Sequence, residues 1–326
     1  MVPARLVKFV EKQRRPRIVI TGVAGFIGSN LAARLLVEGY EVAGIDNFAY
    51  GIPSQVPAGV DFINSDICGS RLHEGLREGD VVFHLAGKNC ISDCQKDPVD
   101  TAVINVVGAV NVFEAARRSK AAKVIYAESS ALYEGSSVLP TPETDVCAES
   151  FYAVSKLSSL LFAAAYQRHY GMRMTALRYF CVYGPRQDYR RSIPPVMSAF
   201  IIRLMRGERP VIYGDGEKRR DFIHIDDIND FHLRCIADDR TDGKAFNLGS
   251  GTNHSVNEIY RLIGKKLGTE LTPIYRADLP GEAQQTLADI SAARALGWAP
   301  RVTIERGLDS FIDYYRATRL PDLAPA

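Results

Sequence analysis

The sequence has little excess charge, no paired-cysteine motif and no long apolar run. Its 326 residues include 40 basic and 38 acidic side chains, and the net charge of +2 creates no strong field for nucleic acid or an anionic membrane. Met1 to Arg17 lacks the continuous apolar core of a secretion signal, and no later run approaches a membrane span. We therefore expect a cytoplasmic protein with neither nucleic-acid nor membrane partners.

The cysteines are few and scattered, with neither C-x-x-C pairs nor histidines at zinc-ligand spacing, so we expect reduced thiols and no metal site. A chain with 46% hydrophobic and 24% charged residues is globular, and its length suits one large domain or two unequal ones that share a cleft. The cysteines are Cys68, Cys90, Cys94, Cys147, Cys181 and Cys235.

Strand-like apolar runs alternate with helical patterns through the first half of the chain. This alternation predicts βαβ units, a parallel sheet and helices on both of its faces. After Gly184 the rhythm breaks up, which indicates a smaller second lobe, and residues 245–249 form a strand pattern that could rejoin the first sheet. The predicted strands of the first half are 18–21, 41–46, 81–86, 123–127 and 175–180, and its predicted helices are 27–38, 105–118 and 152–170.

Three glycines, Gly22, Gly25 and Gly28, fall on one turn between the first strand and the next helix. Such glycines let the chain reverse tightly and bring backbone N–H groups against a pyrophosphate at the helix N-terminus. The next strand ends in Asp46, whose carboxylate can accept hydrogen bonds from both adenosine ribose hydroxyls and would repel a 2′-phosphate. This order of strand, glycines, helix, strand and acid predicts a dinucleotide site that prefers NAD to NADP. The alternative, three ordinary turn glycines and a surface acid, explains the order less well. Further cofactor contacts are predicted at Phe26, Ile27, Asn47, Asp66, Ile67, Leu85, Ala86 and Gly87.

Tyr152 and Lys156 lie four residues apart in a helical pattern, so both side chains occupy one face. Ser129 follows a strand, at the sheet edge where parallel-sheet enzymes hold ligands. Tyrosine has a pKa near ~10, and an ammonium together with a positive nicotinamide would favour a phenolate that acts as a base near neutrality. We therefore predict alcohol oxidation by these three residues. The alternative for the pair alone is an exposed Tyr and Lys beside a capping serine.

The ordered motifs resemble those of the extended short-chain dehydrogenase/reductase family over residues 18–315. The resemblance implies that Ser129 and Tyr152 lie at a sugar, that Lys156 contacts the nicotinamide ribose, and that Tyr179 contacts the cofactor. The motifs are Gly22-x-x-Gly25-x-x-Gly28, Asp46-Asn47, Ser129 with Tyr133, Tyr152-x-x-x-Lys156, Leu177-Arg178-Tyr179-Phe180, Tyr183-Gly184-Pro185-Arg186-Gln187, Gly214-Asp215-Gly216-Glu217, Arg220-Asp221-Phe222 and Asn247-Leu248-Gly249.

The resemblance also implies an α/β architecture with two parts. The first is a doubly wound parallel Rossmann sheet that binds NAD, predicted over residues 1–187 and receiving about 228–250. The second is a smaller C-terminal α/β lobe for a nucleoside-diphosphate sugar, predicted over residues 188–227 and 251–326.

The residues after Ser129 separate the reactions of this family. The chain has Ser130-Ala131 where the family's sugar 4,6-dehydratases have Asp-Glu, and its uronic-acid decarboxylases have Glu at the position of Ala131. The remaining chemistry is 4-epimerisation, in which a hydride leaves C4 and returns to the opposite face with NAD recycled. A keto-sugar reductase is the main alternative, although Asp46 argues against NADPH; a 5- or 3,5-epimerase would need a further group such as Cys181 or Cys90.

The closest similarity is to epimerases of UDP-N-acetylated sugars, including the uronic acid, in surface-polysaccharide pathways. The position beside the sugar 2-substituent is Thr286, which is small enough to leave room for an acetamido group. Cys181 replaces the usual Asn and Leu279 replaces the usual Arg, whereas Arg220 is retained. A cation could instead meet a substrate carboxylate. The candidates are Lys88, for which a solvated surface lysine is the equal alternative, and Arg190, Arg191 and Arg276; Ser130 completes the predicted substrate contacts.

Two helical patterns, residues 105–118 and 152–169, carry apolar residues on more than one side. One side can pack on the sheet while the other meets a partner chain. Members of the resembled family commonly pair two such helices from each subunit, so we expect a homodimer formed through a four-helix bundle.

Overall fold

The computed structural model describes residues 15–191, 193–278 and 283–318. The strands in these residues are β1 (Ile18–Thr21), β2 (Val42–Asp46), β3 (Asp61–Asn64), β4 (Val81–His84), β5 (Lys123–Ser129), β6 (Met174–Tyr179), β7 (Cys181–Tyr183), β8 (Val211–Tyr213), β9 (Arg219–Arg220), β10 (Phe222–His224), β11 (Lys244–Leu248), β12 (His254–Ser255) and β13 (Ile274–Arg276). The helices are α1 (Phe26–Val37), α2 (Ile91–Lys96), α3 (Pro98–Ala102), α4 (Gly108–Arg118), α5 (Phe151–Tyr170), α6 (Val196–Met205), α7 (Ile225–Ala237), α8 (Val256–Leu267), α9 (Ser291–Ala295) and α10 (Ile304–Ala317).

A parallel seven-stranded sheet organises the chain in the order β3-β2-β1-β4-β5-β6-β11. The direction of strand addition reverses between β1 and β4, and in such sheets a ligand crevice opens at that point beyond the strand carboxyl ends. The predicted doubly wound Rossmann sheet is therefore confirmed. Strand β11 pairs with β6 and so returns the chain to the sheet, as the pattern at 245–249 suggested.

Both faces of the sheet are covered by helices, which is why its central strands are continuous apolar runs. Leu31 of α1 and Phe231 of α7 are fully buried on one face, and Val112 and Phe113 of α4 are buried on the other. The helical run Pro98–Arg118 is long and apolar enough to cross a membrane by length and composition. That is weak evidence, because core helices share those properties and this one packs its buried side on the sheet.

A smaller layer is built from the C-terminal elements. The short strands pair as β7 with β10, β8 with β13, and β9 with β12, while α6, α8 and α10 enclose a separate core that includes Phe200, Ile263 and Phe311. The exact division into two domains stays a prediction. The N-terminal extension before residue 15 and Leu279 lie outside the described residues.

The N-terminus of α5 is held by two side chains. Ser150 is the N-cap, and its Oγ accepts a hydrogen bond from the backbone N–H of Ala153. A capping box would place Glu or Gln at Ala153. Here the carboxylate comes from Glu134, which lies outside the helix. It accepts hydrogen bonds from the Ser150 N–H at 2.9 Å and from the Ser150 hydroxyl at 3.0 Å. The helix that carries Tyr152 and Lys156 therefore begins at a fixed place.

Candidate active site

A cavity of about 1040 Å³ opens at the carboxyl ends of the sheet and extends into the C-terminal layer. Its walls include the residues directly after β1, β2, β3, β4 and β6, together with the last two residues of β5. Most of the predicted cofactor contacts lie on it, and they are Gly22, Gly25, Phe26, Ile27, Gly28, Asp46, Asn47, Asp66, Ile67, Leu85, Ala86, Gly87 and Tyr179.

The turn between β1 and α1 can be formed only by glycine at its critical positions. Gly22 has a φ of +76°, and a Cβ there would lie 2.7 Å from the backbone nitrogen of Ala86. A Cβ on Gly28 would overlap the Gly22 carbonyl. Gly25, the N-cap of α1, provides no side-chain cap, so the first turn of the helix keeps N–H groups for another acceptor. This cradle fits a pyrophosphate, which helix N-termini favour.

The acid at the end of β2 is tied to this turn. The Asp46 carboxylate accepts hydrogen bonds from the N–H of Ala24 at 3.0 Å and of Phe48 at 2.8 Å. Carboxylate oxygens have about four lone-pair sites, so two ribose hydroxyls can still donate to it. Asn47 donates to Asp66 at 2.9 Å, and Asp66 accepts from the N–H of Cys68 at 2.7 Å. Asp46, at the end of β2, and Asp66, after β3, therefore lie on the same wall of the cavity.

Ser129, Tyr152 and Lys156 converge from β5 and the first turns of α5. A hydrogen bond from Ser129 acts on the Tyr152 phenol, and Lys156 Nζ donates to the carbonyl of Ala127 at 3.2 Å. A Cβ on Gly87 would lie 3.4 Å from Lys156 Nζ, so the loop after β4 also approaches the ammonium. The structure therefore brings together the three residues that the sequence selected.

Burial governs the protonation state of Tyr152 in the protein alone. It raises the pKa of Tyr152, and the groups that most oppose the rise are Ser129 and Arg191. Burial lowers the pKa of Lys156 to about 8, while Glu128 opposes that fall. In the protein alone the phenol is therefore protonated near neutrality, and a phenolate needs the additional positive charge of the nicotinamide.

The sequence reasoning missed Asn105, which joins the site to α5. Its Oδ1 accepts from the Lys88 N–H at 2.8 Å, and its Nδ2 donates to the Lys88 carbonyl and to Ser155 Oγ, both at 2.9 Å. Asn105 lies in a π-helical segment, Val103–Val107, and such segments are frequent at functional sites. Nothing in the residue pattern indicated this segment, so the inward direction of Asn105 was not predictable.

The predicted substrate contacts divide into two groups. Cys181 and Arg220 line the cavity. Ser130 begins a short 3₁₀ turn, and Thr286 accepts a hydrogen bond from the Asp221 N–H; neither lines the cavity among the described residues. Lys88 is 6% exposed and its ammonium lies 2.8 Å from Asp100, so this pair argues against Lys88 as the ligand of a substrate carboxylate.

Basic side chains from the C-terminal layer line the cavity away from the sheet: Arg191, Arg203, Lys218 and Arg220. Of these, Arg191 acts electrostatically on Tyr152 and therefore lies towards the reacting end. Its Nε is buried without a hydrogen-bond partner among the described residues, and the nearest acid, Asp188, is 3.6 Å away. The cavity is therefore lined by one arginine near Tyr152 and by further basic side chains in its C-terminal part.

Comparison with known proteins agrees with this geometry. Residues 18–249 match the model of the NAD dependent epimerase/dehydratase family, and the chain belongs to that family. A UDP-glucose 4-epimerase of Mycolicibacterium smegmatis is 31% identical over 310 residues, which cover 92% of this chain and 98% of that one.

Solved structures with different sugars are similar to the chain to much the same degree. A UDP-N-acetylglucosamine 4-epimerase from Methanobrevibacter ruminantium, in complex with UDP-N-acetylmuramic acid, has a TM-score of 0.89 and 29% identity, covering 93% of this chain and 99% of that one. A UDP-glucuronic acid 4-epimerase from Bacillus cereus, in complex with UDP-glucuronic acid and NAD, has a TM-score of 0.85 and 30% identity, covering 92% and 99%. Overall similarity therefore does not select the sugar.

Three predictions are confirmed by these matches: membership of the nucleotide-sugar epimerase group, NAD as the cofactor, and an enzyme of the isomerase type. The glycine cradle and the acid at the end of β2 fit NAD on the geometry described above. The individual site residues and their roles remain predictions.

Proposed function

We propose that this enzyme interconverts the C4 epimers of a UDP-activated sugar through a 4-keto intermediate. The observation that carries the proposal is that Ser129 and Tyr152 line the same cavity as the glycine turn, with Lys156 one helical turn after Tyr152 and bonded to the carbonyl of Ala127. The family members that eliminate water or release carbon dioxide have an acid at the position of Ala131, and alanine cannot perform that step. Glu128, the nearby acid, is engaged with Arg178 at 2.7 Å.

Each residue of the trio has a distinct task in this proposal. Bound NAD would supply the hydride acceptor for C4 and, once reduced, the hydride donor for the ketone. Tyr152 Oη takes the proton of the C4 hydroxyl and later returns it, as a positioned general base and acid. Ser129 orients that hydroxyl, and the Lys156 ammonium stabilises negative charge on the phenol and donates hydrogen bonds to the nicotinamide ribose. NAD is regenerated in each turnover, so none need be added.

We propose an N-acetylated hexose or hexuronic acid as the sugar, made for surface polysaccharide in the cytoplasm. The N-acetyl group rests on the family resemblance alone, which assigns the position beside the sugar 2-substituent to Thr286; among the described residues, Thr286 Oγ1 accepts a hydrogen bond from the Asp221 N–H and does not line the cavity. The carboxylate of a uronic acid would be met by Arg191 rather than by Lys88, because Lys88 is buried on Asp100, whereas Arg191 lies in the cavity near Tyr152. In this proposal, a sugar with C4 at Tyr152 places its C5 carboxylate towards Arg191.

We also propose a homodimer formed by the outward faces of the helical run 98–118 and α5. Val99, Val103 and Val107 recur every four residues and are 74%, 43% and 49% exposed. Leu161 and Phe162 of α5 are 64% and 42% exposed. Exposed apolar side chains grouped on two neighbouring helices mark an interaction surface more often than solvated positions, and pairing them with a second copy would complete a four-helix bundle.

Tyr152→Phe tests the reaction. We expect epimerisation to fall by about 10²–10⁴-fold, the usual worth of a positioned general base, while the amount of bound NAD is unchanged because the ring remains. The measurement is ¹H NMR of candidate UDP-sugars with no added cofactor. Tyr170→Phe, on the same helix and 59% exposed, is the control and should match the unaltered enzyme. Retained turnover in Tyr152→Phe would refute the base assignment.

Arg191→Met tests the sugar carboxylate. Loss of one charge-assisted contact, worth about 1.5–3 kcal/mol, should raise KM for the UDP-N-acetyl-hexuronic acid and leave KM for the neutral UDP-N-acetylhexose unchanged. Because Arg191 also acts on the Tyr152 phenol, any fall in kcat should be the same on both sugars. Arg190→Met is the matched control, because Arg190 bonds to the carbonyl of Tyr50 and does not line the cavity. An equal rise in KM for both sugars, or a preference of the unaltered enzyme for the neutral sugar, would contradict a carboxylate contact at Arg191.

Leu161→Glu tests the dimer. A charge placed in the apolar face should shift light-scattering mass at micromolar concentration from two chains to one, because desolvating an unpaired carboxylate is costly. Val37→Glu is the control, since Val37 is 85% exposed but lies on α1, away from this face. A single-chain mass for the unaltered protein would contradict the proposal.

A further inference from the structure

A buried acid, Glu128, lies directly before Ser129 on β5. Its side chain is wholly buried, and it stands opposite Arg178 of β6 in the strand register. Oε2 accepts a hydrogen bond from Arg178 Nε at 2.7 Å. The Tyr126 hydroxyl also acts on this carboxylate, although no described residue lies in hydrogen-bonding geometry with Oε1. A buried carboxylate is costly unless positive charge compensates it.

Lys156 provides the second positive charge in this region. Residues alternate across a strand, so Glu128 points to the same side of the sheet as Tyr126, whose ring packs with Phe113 of α4 in the core beneath α4 and α5. Lys156 descends from α5 onto that face, and its Nζ donates to the carbonyl of Ala127, at the peptide that joins Ala127 to Glu128. Glu128 therefore pairs directly with Arg178 and lies within electrostatic reach of a second buried cation, Lys156.

The other titratable groups around Lys156 carry no compensating charge. Burial lowers the pKa of His84, on β4, to about 3, so this ring is neutral. Burial raises the pKa of the Cys94 thiol, on α2, and of the Tyr152 phenol, one turn before Lys156 on α5. Both groups are therefore protonated at neutral pH. Burial raises the pKa of Glu128 itself, while Arg178 and Lys156 both oppose that rise, and Glu128 in its carboxylate form is the anion that faces Lys156.

We propose that Glu128 is a positioning residue that holds Lys156 in its charged, ammonium form while Arg178 shares the same carboxylate. The inference rests on the proposed function for its catalytic consequence, because only an ammonium can stabilise the Tyr152 phenolate and donate hydrogen bonds from all three of its positions. Without Glu128, burial alone would act on Lys156 and discharge it within the working pH range.

The sign of the pH dependence follows from this arrangement. The pKa of Lys156 is lowered to about 8, so its charge is present below that pH and is lost as the pH rises through it. Glu128 opposes the lowering. Its removal therefore lowers the pKa of Lys156 further, and the alkaline limb of the activity profile moves to lower pH.

The test is an NMR titration of protein labelled with ¹³C at lysine Cε, with the Lys156 signal identified by its loss in Lys156→Arg. In the unaltered protein Lys156 should titrate at about 8, and in Glu128→Gln below 8. Glu128→Asp, which keeps the charge, should restore the titration towards 8. Glu143→Gln is the control, because Glu143 also lies beside Arg178 but accepts from the Asn247 N–H. The same Lys156 titration in Glu128→Gln and the unaltered protein would overturn the proposal.

Two further measurements keep the outcomes distinct. If Glu128→Gln fails to fold with Arg178 unpaired, the double variant Glu128→Gln/Arg178→Met removes both partners of the buried pair, a change that proteins often tolerate, and the same lowered titration is expected. The pH profile of epimerisation should move with the titration. If the unaltered protein epimerises no UDP-sugar, the proposed function fails while the NMR titration still decides the role of Glu128.

Discussion

The anchoring of α5 against the carboxyl end of β5 is the constraint on which the rest of the site depends. Lys156 is tied to the carbonyl of Ala127 and Ser155 to Asn105, while Glu134 fixes the first residue of the helix through Ser150. These bonds set Tyr152 beside Ser129 without help from a ligand. The loop after β4 joins this pair to the cofactor crevice, because it packs against Gly22 on one side and approaches Lys156 on the other.

Burial has opposite effects on the two reacting groups, and this explains why neighbouring charges matter. It raises the pKa of the Tyr152 phenol and lowers that of the Lys156 ammonium to about 8, so the dry site disfavours both charged forms. Arg191 and Ser129 act on the phenol, and Glu128 acts on the ammonium. A positively charged nicotinamide would favour the phenolate further, and in the proposed function this would couple the base to the oxidised cofactor.

The sheet and the catalytic trio were predictable because they depend on local patterns. Buried parallel strands are apolar runs, and the glycines and the i, i+4 pair of Tyr152 and Lys156 are spaced by the geometry of a turn and a helix. Side-chain partners distant in sequence were not predictable: Lys88 pairs with Asp100, and Asn105 turns inward from a π-helical segment. One signal was available: an acid directly after an apolar strand, such as Glu128, predicts a buried charge that needs a cationic partner.

In the proposed reaction a hydride leaves C4 and returns to the same carbon while Tyr152 takes and returns the proton. This is tested most directly with a UDP-sugar that carries deuterium at C4, purified enzyme in ordinary water and no added NAD, followed by ¹H and ²H NMR. We expect the new epimer to retain its deuterium at C4, because the hydride never exchanges with solvent. Replacement of that deuterium by solvent hydrogen, or an epimer formed at C5 with C4 unchanged, would contradict it.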